Sequence, residues 1–372
     1  MLQKVGILGG GQLGRMLLQA AANYPVITYV LENDPECPAA SLCHHFVQGD
    51  IRDFEAVYRF GKQVDALTIE IESVNVEALE RLEAEGVKVY PKPDALRTIK
   101  NKILQKNFYK EKGIPTSPFV LVEGKAALAD CELPAVQKLG EGGYDGRGVQ
   151  VLRDKQDLGK GFDAPSVVEK LVPIKKELSV IIATNGRADH AIYPPTEMVF
   201  YPDLNLLDYQ LCPADIARET LWKAEAIAMM VVKGLASPGI FAVELFLDAK
   251  GDILVNETAP RVHNSGHHTI EGNWCSQFDM LWRLLLGYPL GNTAIIQTSV
   301  LLNVVGAPGS EGPARYEGLD DVLKMGNAFV HLYGKRITKP GRKMGHINLL
   351  GPDRNELIRQ AGAIKKLLRV VA

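Results

Sequence analysis

The first 98 residues alternate short runs of β-branched residues with amphipathic stretches, and this alternation limits the possible folds more than any other feature of the sequence. The β-branched runs predict strands at residues 4–8, 26–31, 66–69 and 87–90. The stretches with helical spacing predict helices at residues 12–24, 53–61 and 76–84. Strands that alternate with helices form βαβ units, in which the strands are parallel. The sequence therefore predicts an α/β domain over residues 1–98.

A second unit follows, because the pattern changes after residue 98. Residues 100–112 predict a charged helix that is stopped by Gly113. Between residues 119 and 183 the predicted strands are short and are joined by Gly-rich or Lys-rich loops. A long helix is expected at residues 214–235, where apolar residues recur at helical spacing. This mixture predicts an α+β unit.

A third segment begins near Pro289, where Gly- and Pro-rich loops separate short strands. Strands are predicted at residues 298–305 and 328–333, and a Lys-rich helix at residues 354–370. Three units fit a chain of 372 residues, because one hydrophobic core rarely serves more than about 250–300 residues.

Composition excludes several classes of function. The net charge of −2 leaves no global basic character, so nucleic acid is not an expected partner. No apolar run approaches the roughly 20 residues that cross a bilayer, and the N-terminus has no signal-peptide pattern. The five cysteines are scattered and odd in number, which argues against a disulfide framework or a zinc knuckle. We therefore expect a cytoplasmic protein without a membrane partner.

The glycine loop at residues 9–14 satisfies G-x-G-x-x-G between a predicted strand and a predicted helix. Glu32 follows the second strand, where an acid that binds a ribose is found in dinucleotide-binding domains. Glycines permit a tight turn, and a helix N-terminus offers free N–H groups to any phosphate. The pattern alone leaves three interpretations open: nicotinamide binding, binding of another phosphorylated ligand, and a purely structural turn.

A second glycine-rich segment, residues 138–148, contains five glycines between two strand-like runs. Such a hairpin can fold over phosphates with its backbone N–H groups, while Lys138 at the strand end supplies a positive charge. A solvated surface hairpin is the alternative.

Glu244 and Glu257 lie in two strand-like runs that are separated by residues 249–252. Pairing Asp248 with Ile253 across a four-residue loop places the two glutamates opposite each other, with Cβ atoms about 5 Å apart. Like charges at that distance are destabilising unless a proton or a cation intervenes. A shared Mg²⁺ is predicted, since Mg²⁺ binds a few carboxylates together with substrate phosphates. Two solvated carboxylates on an edge hairpin are the alternative.

The loop after this hairpin concentrates groups that bind anions and form hydrogen bonds, namely Arg261, His263, Asn264 and Ser265. His263 and His267 are four residues apart, but the intervening Asn-Ser-Gly breaks helices, and we reject a zinc site. A basic cluster at residues 335–345 holds five cations and could bind a phosphate, although basic loops are more often simply solvated.

Four motifs in order resemble one family: GQLGRM at residues 11–16, GGYDGRG at 142–148, NETAPRVHNSG at 256–266 and PGRKMGH at 340–346. They are similar to those of the ATP-grasp carboxylate–amine ligases, and within them to the enzymes that carboxylate aminoimidazole ribonucleotide. Formate-using transformylases share the architecture, but the segment from His263 to His267 and the basic cluster favour the carboxylating enzymes.

The resemblance implies a fold and a reaction. The fold is α/β: an ATP-grasp domain at residues 99–290 with a flap at about 119–183, preceded by a Rossmann-like preATP-grasp domain at 1–98 and followed by a small β-rich domain at 291–372. The reaction is the ATP-dependent carboxylation of 5-aminoimidazole ribonucleotide with bicarbonate through carboxyphosphate, in purine biosynthesis. The implied enzyme is a homodimer that uses Mg²⁺ and ATP but no NAD.

The resemblance also assigns residues. Those assigned to ATP are Lys102, Lys138, Gly142, Gly143, Tyr144, Asp145, Gly146, Arg147, Gly148, Glu169, Leu171, Glu177, Asn256 and Glu257. Those assigned to the ribonucleotide are Gln12, Leu13, Glu70, Tyr144, Asp145, Arg261, Lys335 and Arg342. Those assigned to catalysis are Arg261, His263, Asn264 and Lys138, and those assigned to Mg²⁺ are Glu244 and Glu257. Two positions depart from the usual pattern: Lys102 stands where many relatives have Arg, and Phe200 where His is frequent.

Overall fold

The predicted alternation of strands and helices forms a five-stranded parallel sheet in the computed structural model, which describes residues 2–143, 148–200 and 207–372. Its strands are β1 (Gln3–Leu8), β2 (Val26–Glu32), β3 (His45–Gln48), β4 (Ala66–Ile69) and β5 (Lys88–Tyr90), in the order β3-β2-β1-β4-β5. The helices between them are α1 (Gln12–Ala21), α2 (Phe54–Gly61) and α3 (Val76–Ala84). The parallel sheet is confirmed. Strand β3 was not predicted, because this short edge strand has no buried residue.

The helix expected at residues 100–112 is confirmed over Lys102–Glu111, and a separate helix that was not predicted precedes it. Two helices, α4 (Pro93–Lys100) and α5 (Lys102–Glu111), meet at Asn101, whose backbone is extended. The Asn101 side chain accepts hydrogen bonds from the N–H groups of Ile103 and Leu104 and so caps α5. The break makes Lys102 the first residue of α5, and its N–H group donates to the carbonyl of Gly140.

A four-stranded antiparallel sheet follows, with strands β6 (Phe119–Val122), β7 (Ala135–Leu139), β8 (Val149–Leu152) and β9 (Ser166–Lys170) in the order β6-β9-β7-β8. Short 3₁₀ helices at Lys125–Asp130 and Lys155–Lys160 connect its strands. The glycine-rich segment joins β7 to β8, as a hairpin requires. Four of its predicted site residues lie outside the described residues: Tyr144, Asp145, Gly146 and Arg147.

A nine-stranded sheet forms the body of the protein. Its central part contains β10 (Ile174–Thr184), β11 (His190–Ile192), β12 (Thr196–Phe200), β13 (Leu207–Cys212), β14 (Gly239–Asp248) and β15 (Ile253–Ala259). Helix α6 (Arg218–Leu235) packs on this sheet and starts four residues later than predicted. After β15 come a 3₁₀ turn (Asn264–Gly266), α7 (Thr269–Gly272) and α8 (Gln277–Leu286).

The third segment extends the same sheet, because β16 (Ser299–Val305) pairs with β13. The remaining elements are β17 (Gly312–Pro313), β18 (Arg315–Glu317), α9 (Leu319–Leu323), β19 (Ala328–Leu332), β20 (Ile337–Thr338), β21 (Lys343–Leu350), α10 (Arg354–Leu367) and β22 (Arg369–Val371). The order of the large sheet is β15-β14-β10-β12-β13-β16-β21-β19, with β11 beside β10. The domain boundaries at residues 98 and 290 remain predictions.

The last helix ends earlier than residue 370. Leu368 adopts an extended backbone, and β22 then pairs with β18, which buries Val370. In the described residues no helix is both long enough and apolar enough to cross a membrane.

Helix α8 joins the parallel sheet domain to the large sheet. Its Trp282 is fully buried, and the indole N–H donates to the carbonyl of Leu17 in α1 over 2.6 Å. Apolar residues of α1, α8, β10 and β14 share one core. This packing fixes the glycine loop at residues 9–14 relative to the loop that follows β15.

Candidate active site

The predicted pairing of Glu244 with Glu257 across β14 and β15 is confirmed. The register next to the turn differs from the prediction, because Leu247 rather than Asp248 pairs with Ile253. A β-bulge at Asn256 then shifts the register by one residue and restores the pairing of the two glutamates. The sequence alone also predicts that Phe246 and Val255 lie on one face of the hairpin. This is wrong for the same reason, because Val255 pairs with Leu245 and Phe246 with Leu254.

The two glutamates are not electrostatically equivalent. Glu257 forms an ion pair with the ammonium group of Lys102, which holds the pKa of Glu257 below its usual range. Burial raises the pKa of Glu244, and the charges of Glu257 and Glu177 raise it further. The pair therefore contains one carboxylate whose charge is balanced and one whose charge is only partly compensated by Lys102.

This donor set fits a hard divalent cation that keeps open positions for phosphate oxygens. The residues that the structure describes include no group of three or more His, Cys, Asp or Glu side chains that could hold a metal. A cation at the pair would therefore need ligands from a substrate.

A buried cluster of charges lies beside this pair. Glu169 on β9 forms ion pairs with Lys106 and with Lys138, with both N···O distances at 2.9 Å. The side chains of Lys106 and Glu169 are each only 3% exposed. Lys138 also donates to the side-chain oxygen of Asn256 over 2.8 Å, which connects the cluster to the bulge. Burial lowers the pKa of Lys106 to about 8, and the charge of Lys138 adds to the effect.

Lys106 was not predicted as a site residue. A usable signal existed, because Lys106 follows Lys102 by four residues and so lies on the same face of the helix. The charged composition of the segment concealed it.

Three of the residues assigned to ATP lie on or next to β9 and β10. The carboxylate of Glu169 is occupied by two lysines, and Leu171 is half-buried just after β9, with its N–H group bonded to the carbonyl of Pro134. Glu177 is half-buried on β10 opposite Phe246, and burial raises its pKa to about 7 although Lys138 opposes the shift.

The described ends of the glycine-rich segment have the backbone that glycine favours. Gly142 and Gly148 have φ angles of 78° and 83°, which L-residues with side chains rarely adopt. The carbonyl of Gly148 accepts the N–H group of Leu139 over 2.9 Å, and Gly143 lies between the two ends. Phe200 ends β12, immediately before a second undescribed stretch.

The loop after β15 is held by Gln277 of α8. The N–H group of His263 donates to the Gln277 side-chain oxygen over 2.9 Å, and the Gln277 amide donates to the carbonyl of His263 over 2.7 Å. The ring atom Nε2 of His263 lies 3.6 Å from Glu244, and Nδ1 lies 2.8 Å from the hydroxyl of Ser265. Asn264 begins the following 3₁₀ turn. The ring of His267 instead packs against that of His346 in a tilted arrangement, with ring centroids 4.7 Å apart.

The glycine loop at residues 9–14 is already lined by carboxylates. The N–H group of Gly10 donates to Glu32 over 3.0 Å, and the N–H group of Leu13 donates to Glu70 over 3.1 Å. A Cβ atom at Gly11 would lie 2.5 Å from a carboxylate oxygen of Glu70. The glycines are thus required by packing, and a phosphate bound here would face two acids. The arrangement favours a ligand that donates hydrogen bonds.

The basic cluster near the C-terminus reaches the same loop. Lys335 donates to the side-chain oxygen of Gln12 over 2.9 Å and to the carbonyl of Lys343 over 2.8 Å. Arg342 donates to the carbonyl of Ile337. Gln12, Leu13, Glu70 and Lys335 therefore come together, although they are distant in sequence.

Arg261 connects the two halves of the site. Its Nε atom lies 2.9 Å from a carboxylate oxygen of Glu72, in the loop that also carries Glu70. The charge of Glu72 also acts on Lys102, beside the carboxylate pair. Glu72 was not predicted, and sequence spacing alone does not reveal a partner so far along the chain.

Three domain families match successive parts of the chain. Residues 2–100 match the ribonucleotide synthetase preATP-grasp domain, residues 107–278 the ATP-grasp domain, and residues 299–360 the phosphoribosylaminoimidazole carboxylase C-terminal domain.

Curated relatives extend over the chain as a whole. N5-carboxyaminoimidazole ribonucleotide synthase from Pseudomonas aeruginosa is 35% identical, and the match covers 98% of this chain and 99% of the relative. Two longer relatives are named phosphoribosylaminoimidazole carboxylase, from Ogataea methanolica (36% identical) and Vigna aconitifolia (38% identical). The matches cover 96% and 93% of this chain but only 68% and 64% of those proteins.

Solved structures agree with the fold. The crystal structure of N5-carboxyaminoimidazole ribonucleotide synthetase from Thermotoga maritima superposes with a TM-score of 0.93 at 35% identity, covering 100% of both chains. The enzyme from Aspergillus clavatus, in complex with ADP and 5-aminoimidazole ribonucleotide, gives a TM-score of 0.89 at 33% identity over 98% of both chains. With matches of this identity and extent, the chain belongs to the N5-carboxyaminoimidazole ribonucleotide synthase family of ATP-grasp enzymes.

Proposed function

We propose that the protein joins bicarbonate to the amine of 5-aminoimidazole ribonucleotide at the expense of ATP, in purine biosynthesis. The products are N5-carboxyaminoimidazole ribonucleotide, ADP and phosphate. The observation that carries this proposal is the link between two unlike pockets. One contains paired carboxylates and lysines suited to a nucleotide, the other is a carboxylate-lined glycine loop, and the ion pair of Arg261 with Glu72 joins them.

The chemistry requires activation, because bicarbonate is a poor electrophile. A bicarbonate oxygen attacks the γ-phosphorus of ATP, and the bond to ADP breaks to give carboxyphosphate. The amine nitrogen then attacks the carboxyl carbon, or CO₂ released from it; the new C–N bond forms, phosphate leaves and the amine loses a proton to solvent. Clustered cations stabilise the charge that develops during phosphoryl transfer. Lys102 and Lys138 are placed to do so beside the carboxylate pair, and Lys106 adds a third positive charge.

The remaining assigned residues act at the boundary between the two steps. Arg261 and His263 lie on one loop, with His263 next to Glu244 and Arg261 next to the loop of Glu70. We assign to them and to Asn264 the positioning of bicarbonate and of carboxyphosphate. Glu70, whose buried carboxylate accepts hydrogen bonds, suits the amine of the ribonucleotide.

Mg²⁺ is the cation proposed for Glu244 and Glu257. Two facing carboxyl groups supply hard oxygen donors that fit it, and phosphate oxygens of ATP would complete its shell. When bound, it would neutralise charge on the transferred phosphoryl group.

A coupled assay tests the proposal. We expect ADP release by the pure protein to require both bicarbonate and 5-aminoimidazole ribonucleotide, with ¹³C from labelled bicarbonate appearing in the ribonucleotide. Formate in place of bicarbonate should give no turnover, and Glu257→Ala should abolish it. Absence of ADP release that depends on both substrates, or quenching of NADH fluorescence without ATP binding, would refute the proposal.

We also propose a homodimer in the cytoplasm, as the resemblance implies. Large apolar side chains such as Trp274 and Ile296 remain exposed at 68% and 53% and leave surface for a second copy. Sedimentation equilibrium should give twice the 40.7 kDa of one chain, and a monomer at micromolar concentration would contradict this.

A further inference from the structure

The loop after β4 presents two carboxylates to different sides of the site. Glu70 is buried and accepts the N–H group of Leu13 at the start of α1. Glu72, two residues later, faces Arg261 at 2.9 Å. One short loop therefore contacts both the proposed amine pocket and the proposed carboxyphosphate pocket.

The ion pair between Arg261 and Glu72 is largely shielded from water. The two side chains are 18% and 24% exposed, so solvent screens their attraction less than it does at the surface. The Arg261 guanidinium also donates to the carbonyl of Val262 through Nη1. Two contacts in different directions leave the guanidinium little rotational freedom.

The ion pair with Glu72 prevents the Arg261 guanidinium from turning towards the nucleotide side of the site. The hairpin that precedes Arg261 carries Glu244 and Glu257 on the nucleotide side, and the low pKa of Glu257 keeps its carboxylate charged. Without Glu72, these carboxylates and the phosphates of ATP would attract the guanidinium. The charge of Glu72 also helps to raise the pKa of Lys102, after the larger effects of Glu257 and Glu244.

From this arrangement we propose that Glu72 is a positioning residue that holds Arg261 at the boundary of the two pockets, so that carboxyphosphate is delivered to the amine rather than to water. The inference rests on the function proposed above. It concerns the second step, transfer of the carboxyl group, and assigns Glu72 no contact with either substrate. A variant without the carboxylate would still form carboxyphosphate but would lose part of it to hydrolysis.

Glu72→Gln tests this, because it keeps the size of the side chain and removes its charge. The measured quantity is the ratio of ADP formed to carboxylated ribonucleotide formed, with ATP, Mg²⁺, ¹³C-bicarbonate and saturating ribonucleotide. We expect a ratio near one for the parent protein and a rise of at least about threefold for Glu72→Gln. The KM for ATP should stay within about twofold. Glu72→Asp, which keeps the charge, should restore much of the coupling.

The matched control is Glu36→Gln. Glu36 also forms an ion pair between the parallel sheet domain and the third segment, with Arg336, but both side chains are more than half exposed and distant from the paired glutamates. It should leave the ratio unchanged. The inference would be overturned if Glu72→Gln kept a ratio near one, or if Glu36→Gln raised the ratio as much as Glu72→Gln does. If Glu72→Gln no longer binds nucleotide, the ratio is measured in Glu72→Asp instead. A ratio in Glu72→Asp that is raised although the charge is kept would refute the role of that charge. Failure of the parent protein to require both substrates would instead refute the proposed function.

Discussion

Gln277→Met is the most direct test of how the catalytic loop is held. Gln277 is fully buried, and its amide makes two hydrogen bonds to the backbone of His263. Methionine has a similar length and volume but can make neither bond. An unpaired buried backbone group costs about 1–3 kcal/mol. Because His263 is only half-buried and water recovers part of this cost, we expect a net loss of about 2–3 kcal/mol in the free energy of unfolding.

The protein contains a matched control for this change. Gln210 is also buried, and neither atom of its amide has a hydrogen-bond partner among the described residues. Gln210→Met therefore removes a polar group without breaking a bond and should be neutral or stabilise by about 1 kcal/mol. Equilibrium urea unfolding of the two variants, followed by circular dichroism, measures the difference. Equal losses in both variants would refute the assignment of Gln277 as the residue that holds the loop. We also expect kcat to fall only in Gln277→Met, because the position of His263 depends on it.

Three further predictions concern charge. Lys138→Ala should lower kcat/KM for ATP by at least about 100-fold. Lys160→Ala changes a lysine on the exposed surface and should have no effect. Near-normal kinetics of Lys138→Ala would count against the assignment of Lys138 to the ATP phosphates. At pH 9, above the raised pKa of Glu244 of about 8, Glu244→Gln should raise the Tm of the metal-free protein, since it removes repulsion from the facing carboxylate. It should also abolish any rise in Tm caused by Mg²⁺ with ADP, and an unchanged rise would exclude Glu244 as a metal ligand. Burial lowers the pKa of His267 and of His346 well below the usual value of about 6.5, so their neutral forms stabilise the fold above that pH and the stability is lost as pH falls below it. The raised pKa values of Glu177 and Glu244 act in the opposite direction, so the test compares two proteins. The change in Tm between pH 7 and pH 5 should be less negative in His346→Gln than in the parent protein, and parallel profiles would contradict this.

Local sequence patterns predicted much of the architecture, because the spacing of apolar residues indicates most of the strands and helices. The positions at which helices end were less evident from the sequence. Asn101 separates two helices within a continuous charged run, since its side chain caps α5 more favourably than it continues a helix. The extended β22 follows α10 without any glycine or proline, because pairing with β18 decides its conformation. Tertiary contacts of this kind cannot be inferred from a short window of sequence.

The carboxylate pair shows how a correct prediction can rest on an incomplete argument. Counting residues across the hairpin placed Glu244 opposite Glu257, yet the actual turn, closed between Asp248 and Asp252, is one residue shorter and the extra residue of the bulge at Asn256 compensates. The bulge has a consequence that counting could not supply. It directs the Asn256 side chain towards Lys138 and Glu244, so that the strand irregularity itself connects the two charge clusters.

The glycine loop at residues 9–14 explains why a backbone motif predicts a turn better than it predicts a ligand. Its N–H groups are available to any acceptor, and here Glu32 and Glu70 take two of them from positions 22 and 57 residues away. Once two carboxylates are bound, the electrostatic preference of the loop is reversed: a pyrophosphate is repelled and an amine or hydroxyl is favoured. The ligand class is therefore decided by the distant acids that accept from the loop. A glycine motif of this form should be interpreted only after the side chains that meet its N–H groups are known.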